Sequence, residues 1–400
     1  MDFQSVNLLN VRMNIISGNL FPMTTDSRFS IGCKIYSIIV WLIVISFVTL
    51  FFLGFTMVSK KKVIADGMIS IVFVIEVFIM FIRIHTCRDL AMQLIQKIND
   101  ILRVQDETMK CVMMTTLKIA HSSSKFYWIN MMISITIWIS LPLIVIKKDS
   151  FYYEDYRLPF IVFKEPFSFK IFALGTLFLV IISLYIIMKK AAAHFYMMHL
   201  VLLITAQYRY IAVKLRKVFQ EENSQKNKMN SRTKFCSEKI DLWTEREMKS
   251  ICRHYNIVIE LSIILKKFLS LNFSIIYIDT VLRFSFFGVI LVTLAQLKTL
   301  FERITIIMFA FGEMLQFYIL CSAVQQLLDA STEITDMAFH EKWYQYGPSI
   351  KRTFLLMILS NNLKCKVATM ERFSLSLPSF MTSINQAYSI TLLCLKIMKK

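Results

Sequence analysis

Seven stretches of this chain are long and apolar enough to cross a membrane, and they constrain its fold more than any other feature. A helix needs about 20 residues to span the hydrocarbon core of a bilayer. Four of the stretches carry no charged side chain; they are Ile35–Ser59, Phe126–Ile146, Ile171–Met188 and Phe373–Leu395. Three more contain one or two internal charges; they are Val63–Ile82, Phe268–Leu297 and Ile304–Leu328. The sequence therefore predicts an all-α membrane protein with seven transmembrane helices.

The composition agrees with this prediction. Hydrophobic residues make up 56% of the chain, charged residues 18%, and the mean hydropathy is +0.56, whereas soluble domains have about 45–50% apolar and about 25% charged residues. The net charge of +19 would suggest nucleic-acid binding in a soluble protein. In a membrane protein it indicates basic segments retained in the cytoplasm. We therefore expect membrane lipid, and no nucleic acid, among the partners.

The sequence offers no catalytic or metal-binding motif. The HExxH, GxSxG, P-loop and GxGxxG patterns do not occur in the context that each requires. The eight cysteines form no CxxC pair and no zinc spacing. His194 and His199 are five residues apart, so they do not share a helix face. We expect neither an enzyme nor a cofactor or metal site.

The segments between the predicted spans define two sides of the membrane. Three segments are long, charged and helical in their apolar spacing: 83–125, 189–267 and 329–352. If these and residues 1–34 are cytoplasmic, that side carries 29 Lys and Arg, against 12 on residues 60–62, 147–164, 298–303 and the C-terminus. Long segments follow the positive-inside rule weakly, so the orientation depends on four lysines beside the spans. They are Lys189, Lys190, Lys266 and Lys267. This predicts an N-terminus inside the cell and a C-terminus outside.

The chain divides into three parts on this basis. Residues 1–34 are predicted to form a cytoplasmic N-terminal segment. Residues 35–328 contain spans one to six, with a ligand pocket in the outer half and cytoplasmic helical extensions. Residues 329–400 contain a cytoplasmic connection and the last helix. The polar, lysine-rich QEENSQKNKMNSRTK at Gln220–Lys234 is predicted to be a disordered link.

Ionisable residues inside the predicted spans are costly and point to a function or a specific partner. Asp279 and Arg283 are spaced i,i+4 on one helix face and can neutralise each other, which predicts a structural pair. Glu76 and Glu313 have no basic residue one turn away. We favour a hydrogen bond from each to a neighbouring helix, and a proton or ion relay in a transporter is the alternative.

Apolar, aromatic and hydroxyl side chains coincide on the outer halves of spans two, three, four and six. Such walls suit a pocket for a volatile or lipid-like ligand, although ordinary helix packing uses the same residue types. The candidate ligand-binding residues are Ile69, Phe73, Ser134, Trp138, Thr176, Val180, Thr305, Met308 and Phe309.

The last predicted helix carries small and polar residues along one side. At 100° per residue, a sector of about 120° contains Ser376, Ser379, Ser383, Gln386, Ala387, Ile390 and Cys394, with Thr391 at its edge. A stripe of this kind either packs against another helix or lines a pore. Its length, with a single apolar interruption at Ile390, favours a pore wall, of which one chain supplies only one part.

Three motifs near the C-terminus resemble the signature of insect odorant receptors. They are FGEMLQ at Phe311–Gln316, DMAFHEKWYQ at Asp336–Gln345 and RFSLSLPSFMTSINQAYSITLL at Arg372–Leu393. The opening MDFQSVNLLNVRMN looks like the ant and bee branch of that family. The sister gustatory receptors end in Thr-Tyr, five apolar residues and Gln-Phe, and of these four residues only Tyr388 is present here. The resemblance is therefore to the odorant branch.

The resemblance implies a ligand-gated, non-selective cation channel of four subunits in the plasma membrane, in the dendrites of olfactory sensory neurons. A variable subunit binds the odorant and joins a shared coreceptor in a heterotetramer. The last helices line the pore, and the cytoplasmic helical extensions form the main subunit contact. The implied pore residues are Ser383, Gln386, Ala387, Ile390, Thr391 and Cys394, with the constriction at Thr391 and Cys394. The family's pocket positions fall near Ser134 and Trp138.

A second hypothesis comes from another functional class. A seven-span G-protein-coupled or proton-coupled transport protein would use Glu76 and Glu313, and a gustatory-type receptor is a further alternative. A rhodopsin-like receptor is disfavoured by the predicted orientation and by the absence of Asp-Arg-Tyr after span three and of Asn-Pro-x-x-Tyr in span seven.

Overall fold

A computed structural model describes most of the chain and is helical throughout its regular structure. It describes residues 2–23, 29–59, 62–63, 67–103, 106–145, 149–158, 165–228, 234–294, 300–340, 343–345, 347–364 and 375–398. Within these ranges there is no β-strand. The helices are α1 (Phe3–Val6), α2 (Leu8–Ile16), α3 (Ile31–Gly54), α4 (Met68–Thr86), α5 (Arg88–Leu102), α6 (Glu107–Val145), α7 (Phe169–Lys228), α8 (Lys234–Leu294), α9 (Leu300–His340), α10 (Pro348–Lys364) and α11 (Leu377–Met398). The predicted all-α fold is confirmed.

Each predicted span overlaps a different helix of the structure. Among the described residues, α3, α4, α6, α7, α8 and α9 are long and apolar enough to cross a membrane. The seventh predicted span corresponds to α11, which has 22 residues and is therefore about 33 Å long. That length suffices for a bilayer, but α11 falls short of the other six in hydropathy because it contains more polar residues. The protein is a multi-pass membrane protein.

Two helices are far longer than a membrane is thick. Helix α7 has 60 residues and α8 has 61, so each is about 90 Å long, whereas the hydrocarbon core is about 30 Å. Both therefore continue out of the membrane without a break, and the predicted helical extensions are confirmed as continuations of the spans. The predicted link at Gln220–Lys234 is wrong up to Lys228, which ends α7. Residues 229–233 lie outside the described part of the chain.

Helix α5 belongs to this extension layer and lies against α8. Its apolar face is buried through Ala91, Leu94, Ile95 and Ile98, at the i, i+3, i+4 spacing of an amphipathic helix. The layer also includes the N-terminal segment, because the backbone N–H of Phe3 donates to Oδ1 of Asn99 at 2.8 Å. The extensions are thus packed together and not loose loops.

Asp106 joins the extension layer to α7. Tyr210 donates its hydroxyl to the Asp106 carboxylate at 2.7 Å, and Nζ of Lys214 lies 3.0 Å from the same oxygen. Partial burial acts to raise the pKa of Asp106, but the hydrogen bonds from Tyr210 and Lys214 outweigh it and hold that pKa below its usual value. The carboxylate therefore stays ionised at neutral pH and keeps this contact.

The connection between α6 and α7 is a packed cap at the opposite end of the bundle. Phe151 and Phe167 exchange backbone hydrogen bonds at 3.0 and 2.8 Å, and the Phe151 ring stacks on Phe172 of α7 with ring centroids 4.3 Å apart. Leu158 of the same cap is buried. The described residues of this connection therefore cover this end of the helices with apolar side chains.

Helix α11 packs against α8 through its smallest side chains. Ser383, Ala387 and Thr391 are buried, and their i, i+4, i+8 spacing places them on one face. The Thr391 hydroxyl donates to the backbone oxygen of Ser285 at 3.1 Å. Gly288 permits the close approach, since a Cβ atom there would lie 2.5 Å from Oγ1 of Thr391. This face of α11 forms a helix–helix contact within the chain.

Candidate functional site

An apolar cavity lies between the membrane-spanning helices, under the α6–α7 cap. Its volume is about 70 Å3, several times the roughly 10–15 Å3 that one water molecule requires in the same measure. The walls come from α3, α4, α6, α7, α8 and α9, with Leu158 of the cap above. Nearly all of the lining side chains are aliphatic or aromatic, and the two hydroxyls belong to Ser70 and Ser183. Such a cavity suits a small, largely apolar molecule.

Four of the predicted pocket residues line this cavity; they are Ile69, Phe73, Trp138 and Phe309. The other five lie outside its wall; they are Ser134, Thr176, Val180, Thr305 and Met308. Ser134 is fully buried beside the wall residue Ile135. The Thr176 hydroxyl is already engaged, because it donates to the backbone oxygen of Phe172 at 2.9 Å. Ligand contact by the predicted set stays a prediction.

Part of the cavity wall consists of aromatic rings in mutual contact. The rings of Trp138 and Phe309 are parallel within 5°, with centroids 6.4 Å apart. Phe287 meets Phe309 edge to face at 5.6 Å. Stacked and edge-to-face rings at these separations attract one another beyond their apolar burial. The three helices α6, α8 and α9 therefore present one rigid aromatic surface to the cavity.

Helices α3 and α8 also contribute to the cavity wall, although the sequence predicted a pocket formed by spans two, three, four and six only. Phe47 and Phe51 come from α3, and Phe287 and Ile290 come from α8. Both pairs have i,i+3 or i,i+4 spacing, which would have placed each pair on one helix face. The sequence holds many such pairs, however, and does not tell which face of a helix points inward.

A group of buried charged residues lies next to the cavity, and we call it the ionic cluster. It consists of Glu76 on α4, Lys190 and His194 on α7, Asp279 and Arg283 on α8, and Glu313 on α9. None of these residues is more than 6% exposed. Moving a charge from water into such surroundings is costly unless it is paired and hydrogen-bonded.

Arg283 is the centre of the ionic cluster. Its guanidinium contacts the carboxylates of Asp279, Glu313 and Glu76, the last through Nη2 and Oε2 at 2.8 Å. Lys190 links two of the same carboxylates from another helix, with Nζ 2.6 Å from Glu313 and 3.1 Å from Glu76. His194 completes the set, with Nε2 3.1 Å from Oε1 of Glu76. Four helices are thus joined by charge-assisted hydrogen bonds.

The predictions for these residues are confirmed in part. Asp279 and Arg283 form the expected i,i+4 pair. Glu76 and Glu313 each bond to neighbouring helices, as we favoured. Their shared partner, Lys190, was not foreseen, because the sequence interpretation placed it in a cytoplasmic segment. A signal was present, since the apolar pattern resumes at Ala191 and continues along α7.

The position of the two lysines corrects the argument for orientation. Lys190 is buried in the ionic cluster, and Lys189 is buried with its Nζ 4.3 Å above the Trp41 ring and 3.2 Å from Oδ1 of Asn19. Neither is a loop charge facing the cytoplasm. The predicted orientation depended on four lysines beside the spans, and of these only Lys266 and Lys267 still support it. The orientation of the termini stays a prediction.

The ionic cluster also has a polar space of its own. A second, much smaller cavity of about 10 Å3 is lined by His194, Arg283, Glu313 and Gln316, among others, which is room for about one water molecule. Among the described residues, Oε1 of Glu313, Nε of Arg283 and Nε2 of Gln316 are buried without a hydrogen-bond partner. One water in this space would have several polar atoms to bond. No group of three or more His, Cys, Asp or Glu within the described ranges is arranged to hold a metal ion.

The predicted pore residues share one side of α11 but differ in their burial. Ser383, Ala387 and Thr391 are buried against the rest of the chain. Ile390 and Cys394 are partly exposed and Gln386 is exposed, although Oε1 of Gln386 accepts a hydrogen bond from Tyr277 at 3.0 Å. Asn385 and Ser389 form a further exposed polar pair at i,i+4 spacing. The prediction that α11 lines a pore concerns an assembly of subunits and stays a prediction.

The fold is similar to that of a solved insect olfactory receptor. The structure of the insect olfactory receptor OR5 from Machilis hrabei in complex with eugenol matches with a TM-score of 0.73 and 12% sequence identity, covering 99% of this chain and 100% of that chain. A second structure of OR5 from Machilis hrabei matches with a TM-score of 0.74, 11% identity and the same coverage. At this identity the likeness concerns the fold alone. A comparison with curated protein sequences gave no match.

The amino-acid sequence also matches a family model. The model described as 7tm Odorant receptor matches residues 60–388, which is well over half of the chain. The matched part includes every residue of the ionic cluster and most of the cavity wall. The chain belongs to the odorant receptor family.

Proposed function

We propose that this protein binds a volatile or lipid-like odorant in the apolar cavity and, together with a coreceptor, gates a cation channel. The observation that carries the proposal is the aromatic cavity of about 70 Å3 in a chain that belongs to the odorant receptor family. Ser70 and Ser183 give a bound molecule at most a few polar contacts. The eugenol complex of the Machilis hrabei receptor supports a small aromatic molecule as the class of ligand.

The assembly and location follow the family. We propose a heterotetramer with the shared coreceptor in the plasma membrane of an olfactory sensory neuron, with the N-terminus inside the cell and the C-terminus outside. The packed extension layer of α5, α7 and α8 would supply the contact between subunits. Membership of the ant and bee branch stays a prediction from the opening sequence.

Co-expression tests the proposed function directly. We expect odour-evoked current from cells that express this chain together with an odorant-receptor coreceptor, and none from cells that express this chain alone. The reason is that the resemblance places Thr391 and Cys394 at the constriction, where the coreceptor pattern has Val and Gln. Whole-cell recording against a panel of volatile compounds makes the measurement. Robust odour-evoked current from this chain in cells without coreceptor would refute the proposal that gating requires the coreceptor.

Trp138 tests the position of the ligand. Trp138→Ala should raise the odorant concentration for half-maximal response by about tenfold or more, because the loss of an aromatic contact of about 1.4 kcal/mol changes affinity by that factor. Trp128→Ala is the matched control, since Trp128 lies on the same helix and does not line the cavity. Dose–response curves are compared at equal surface expression. Equal potency of wild type and Trp138→Ala across the agonist panel would place the ligand elsewhere.

The face of α11 that the chain leaves exposed would form its part of the ion path. This face includes Asn385, Gln386 and Ser389, so its wall would combine amide and hydroxyl groups. A row of polar side chains from each subunit would replace part of the hydration of a passing cation. Cys394 lies on the side of Ser383 and Ala387, but nearer the end of the helix, where it is partly exposed. The buried Thr391 would position α11 on α8.

Cys394 makes this placement measurable. A membrane-impermeant, positively charged thiol reagent applied outside the cell should reduce the odour-evoked current, because a fixed positive charge near a confined path repels cations with little screening. Cys394→Ser should remove that part of the inhibition. Cys321 serves as the internal control, since its side chain is fully buried and Cys321→Ser should leave the inhibition unchanged. Inhibition of equal size in wild type and Cys394→Ser would remove Cys394 from the path.

A further inference from the structure

We propose that the ionic cluster transmits odorant binding from the cavity to α11, and that Phe73 is the contact between cavity and cluster. The inference rests on the proposed odorant-gated function and adds the residues that couple its two parts. It follows from three observations: the position of the cluster, the two-sided contact of Phe73, and the packing of α8 against α11.

The ionic cluster lies one helical turn from the cavity wall on every helix that builds it. Residues three or four apart share a helix face and are separated by about one turn. The pairs of wall and cluster residues are Phe73 and Glu76 on α4, Ile186 and Lys190 on α7, Phe287 and Arg283 on α8, and Phe309 and Glu313 on α9. The cluster is therefore a charged layer adjoining the cavity, and a shift of α4, α7, α8 or α9 moves a charge within it.

Phe73 belongs to both layers. Its side chain lines the cavity and is 8% exposed. The same ring also contacts the cluster, since Nζ of Lys190 lies 4.4 Å from the ring centroid and Cζ of Arg283 lies 5.8 Å from it. Cations within about 6 Å of an aromatic ring are attracted to its face. A ligand that turns or displaces this ring therefore changes the surroundings of both permanent cations of the cluster.

Helix α8 connects the cluster to α11. Arg283 lies two residues before Ser285, whose backbone oxygen accepts a hydrogen bond from Thr391 at 3.1 Å and whose hydroxyl donates to the backbone oxygen of Ala387 at 3.3 Å. Tyr277, less than two turns before Arg283, donates to Gln386 at 3.0 Å. Contacts on both sides of Arg283 thus tie α8 to α11. A closely packed contact transmits a displacement and does not absorb it.

Ligand binding can shift this arrangement only if the ligand contacts its two states differently. Phe73 provides that difference, because its ring is a ligand contact in the cavity and a cation contact in the ionic cluster. Phe73 should therefore affect the closed–open equilibrium even without odorant. A residue that only lines the cavity should affect odorant potency alone.

The experiment compares two phenylalanines of the same cavity in cells that co-express the coreceptor. Phe73→Leu removes the ring that faces the cluster. Phe47→Leu is the matched control, since Phe47 is 3% exposed, lines the same cavity and packs against Phe51 on α3, a helix that contributes nothing to the cluster. The readouts are the current without odorant and the maximal odour-evoked current, both relative to surface protein.

We expect Phe73→Leu to change the ratio of odour-free to maximal current by about fivefold or more, because losing a cation–ring contact shifts an equilibrium by about fivefold at an exposed site and by more where the contact is desolvated. Phe47→Leu should shift potency and change that ratio less than Phe73→Leu does. Phe73→Tyr retains the ring and should likewise change the ratio less than Phe73→Leu does. Phe73→Met also lacks the ring and has a similar volume. If Phe73→Leu does not reach the cell surface, Phe73→Met should show the same change of the current ratio.

A wild-type ratio in Phe73→Leu and Phe73→Met, with potency shifted as in Phe47→Leu, would overturn the inference and leave the proposed function standing. A wild-type receptor pair that gives no odour-evoked current would reject the proposed function, and the inference with it. The two failures are therefore distinguishable in the same cells.

Discussion

A guanidinium inside a membrane requires carboxylates around it, and this requirement organises the protein. Arg283 is 2% exposed and contacts three carboxylates, Asp279 on its own helix and Glu76 and Glu313 on two others. Apolar surface gives little preference among helix pairings in lipid, because lipid tails are as apolar as leucine. Paired charges do give such a preference, since a wrong pairing leaves a charge unpaired in a low-dielectric medium. The ionic cluster therefore specifies how α4, α7, α8 and α9 meet.

The other two features follow from that arrangement. The helices that meet at the ionic cluster leave the apolar cavity one turn away, where the side chains are large and aromatic and α3 and α6 close the sides. The same helix that carries Arg283 carries Ser285 and Gly288, which receive α11. The cavity, the ionic cluster and α11 thus all contact α8. A displacement of α8 at any one of them therefore also moves its contacts with the other two.

The sequence alone predicted what depends on local pattern. Apolar length located the spans, and i,i+4 spacing identified Asp279 with Arg283. Residue type selected Phe73, Trp138 and Phe309 for the cavity wall. It did not predict what depends on how helices rotate against one another. The pairing of Lys190 with two glutamates joins residues more than 100 positions apart, and the burial of Thr391 against Gly288 depends on which face of α11 meets α8. Those relations exist only in the packed bundle.

Thermal unfolding of the purified receptor tests the central role of Arg283 most directly. Arg283→Met removes the guanidinium from three buried carboxylates, of which Glu76 and Glu313 keep their contact with Lys190 and Asp279 loses its ion pair. Breaking a buried ion pair in this way costs about 3–5 kcal/mol. Arg216→Met is the matched control, because Arg216 pairs with Glu333 at the surface, where such a pair contributes about 0–1 kcal/mol. The account predicts a markedly lower unfolding temperature for Arg283→Met and an almost unchanged one for Arg216→Met, measured in the same detergent. An unfolding temperature for Arg283→Met equal to that of the wild type would contradict it.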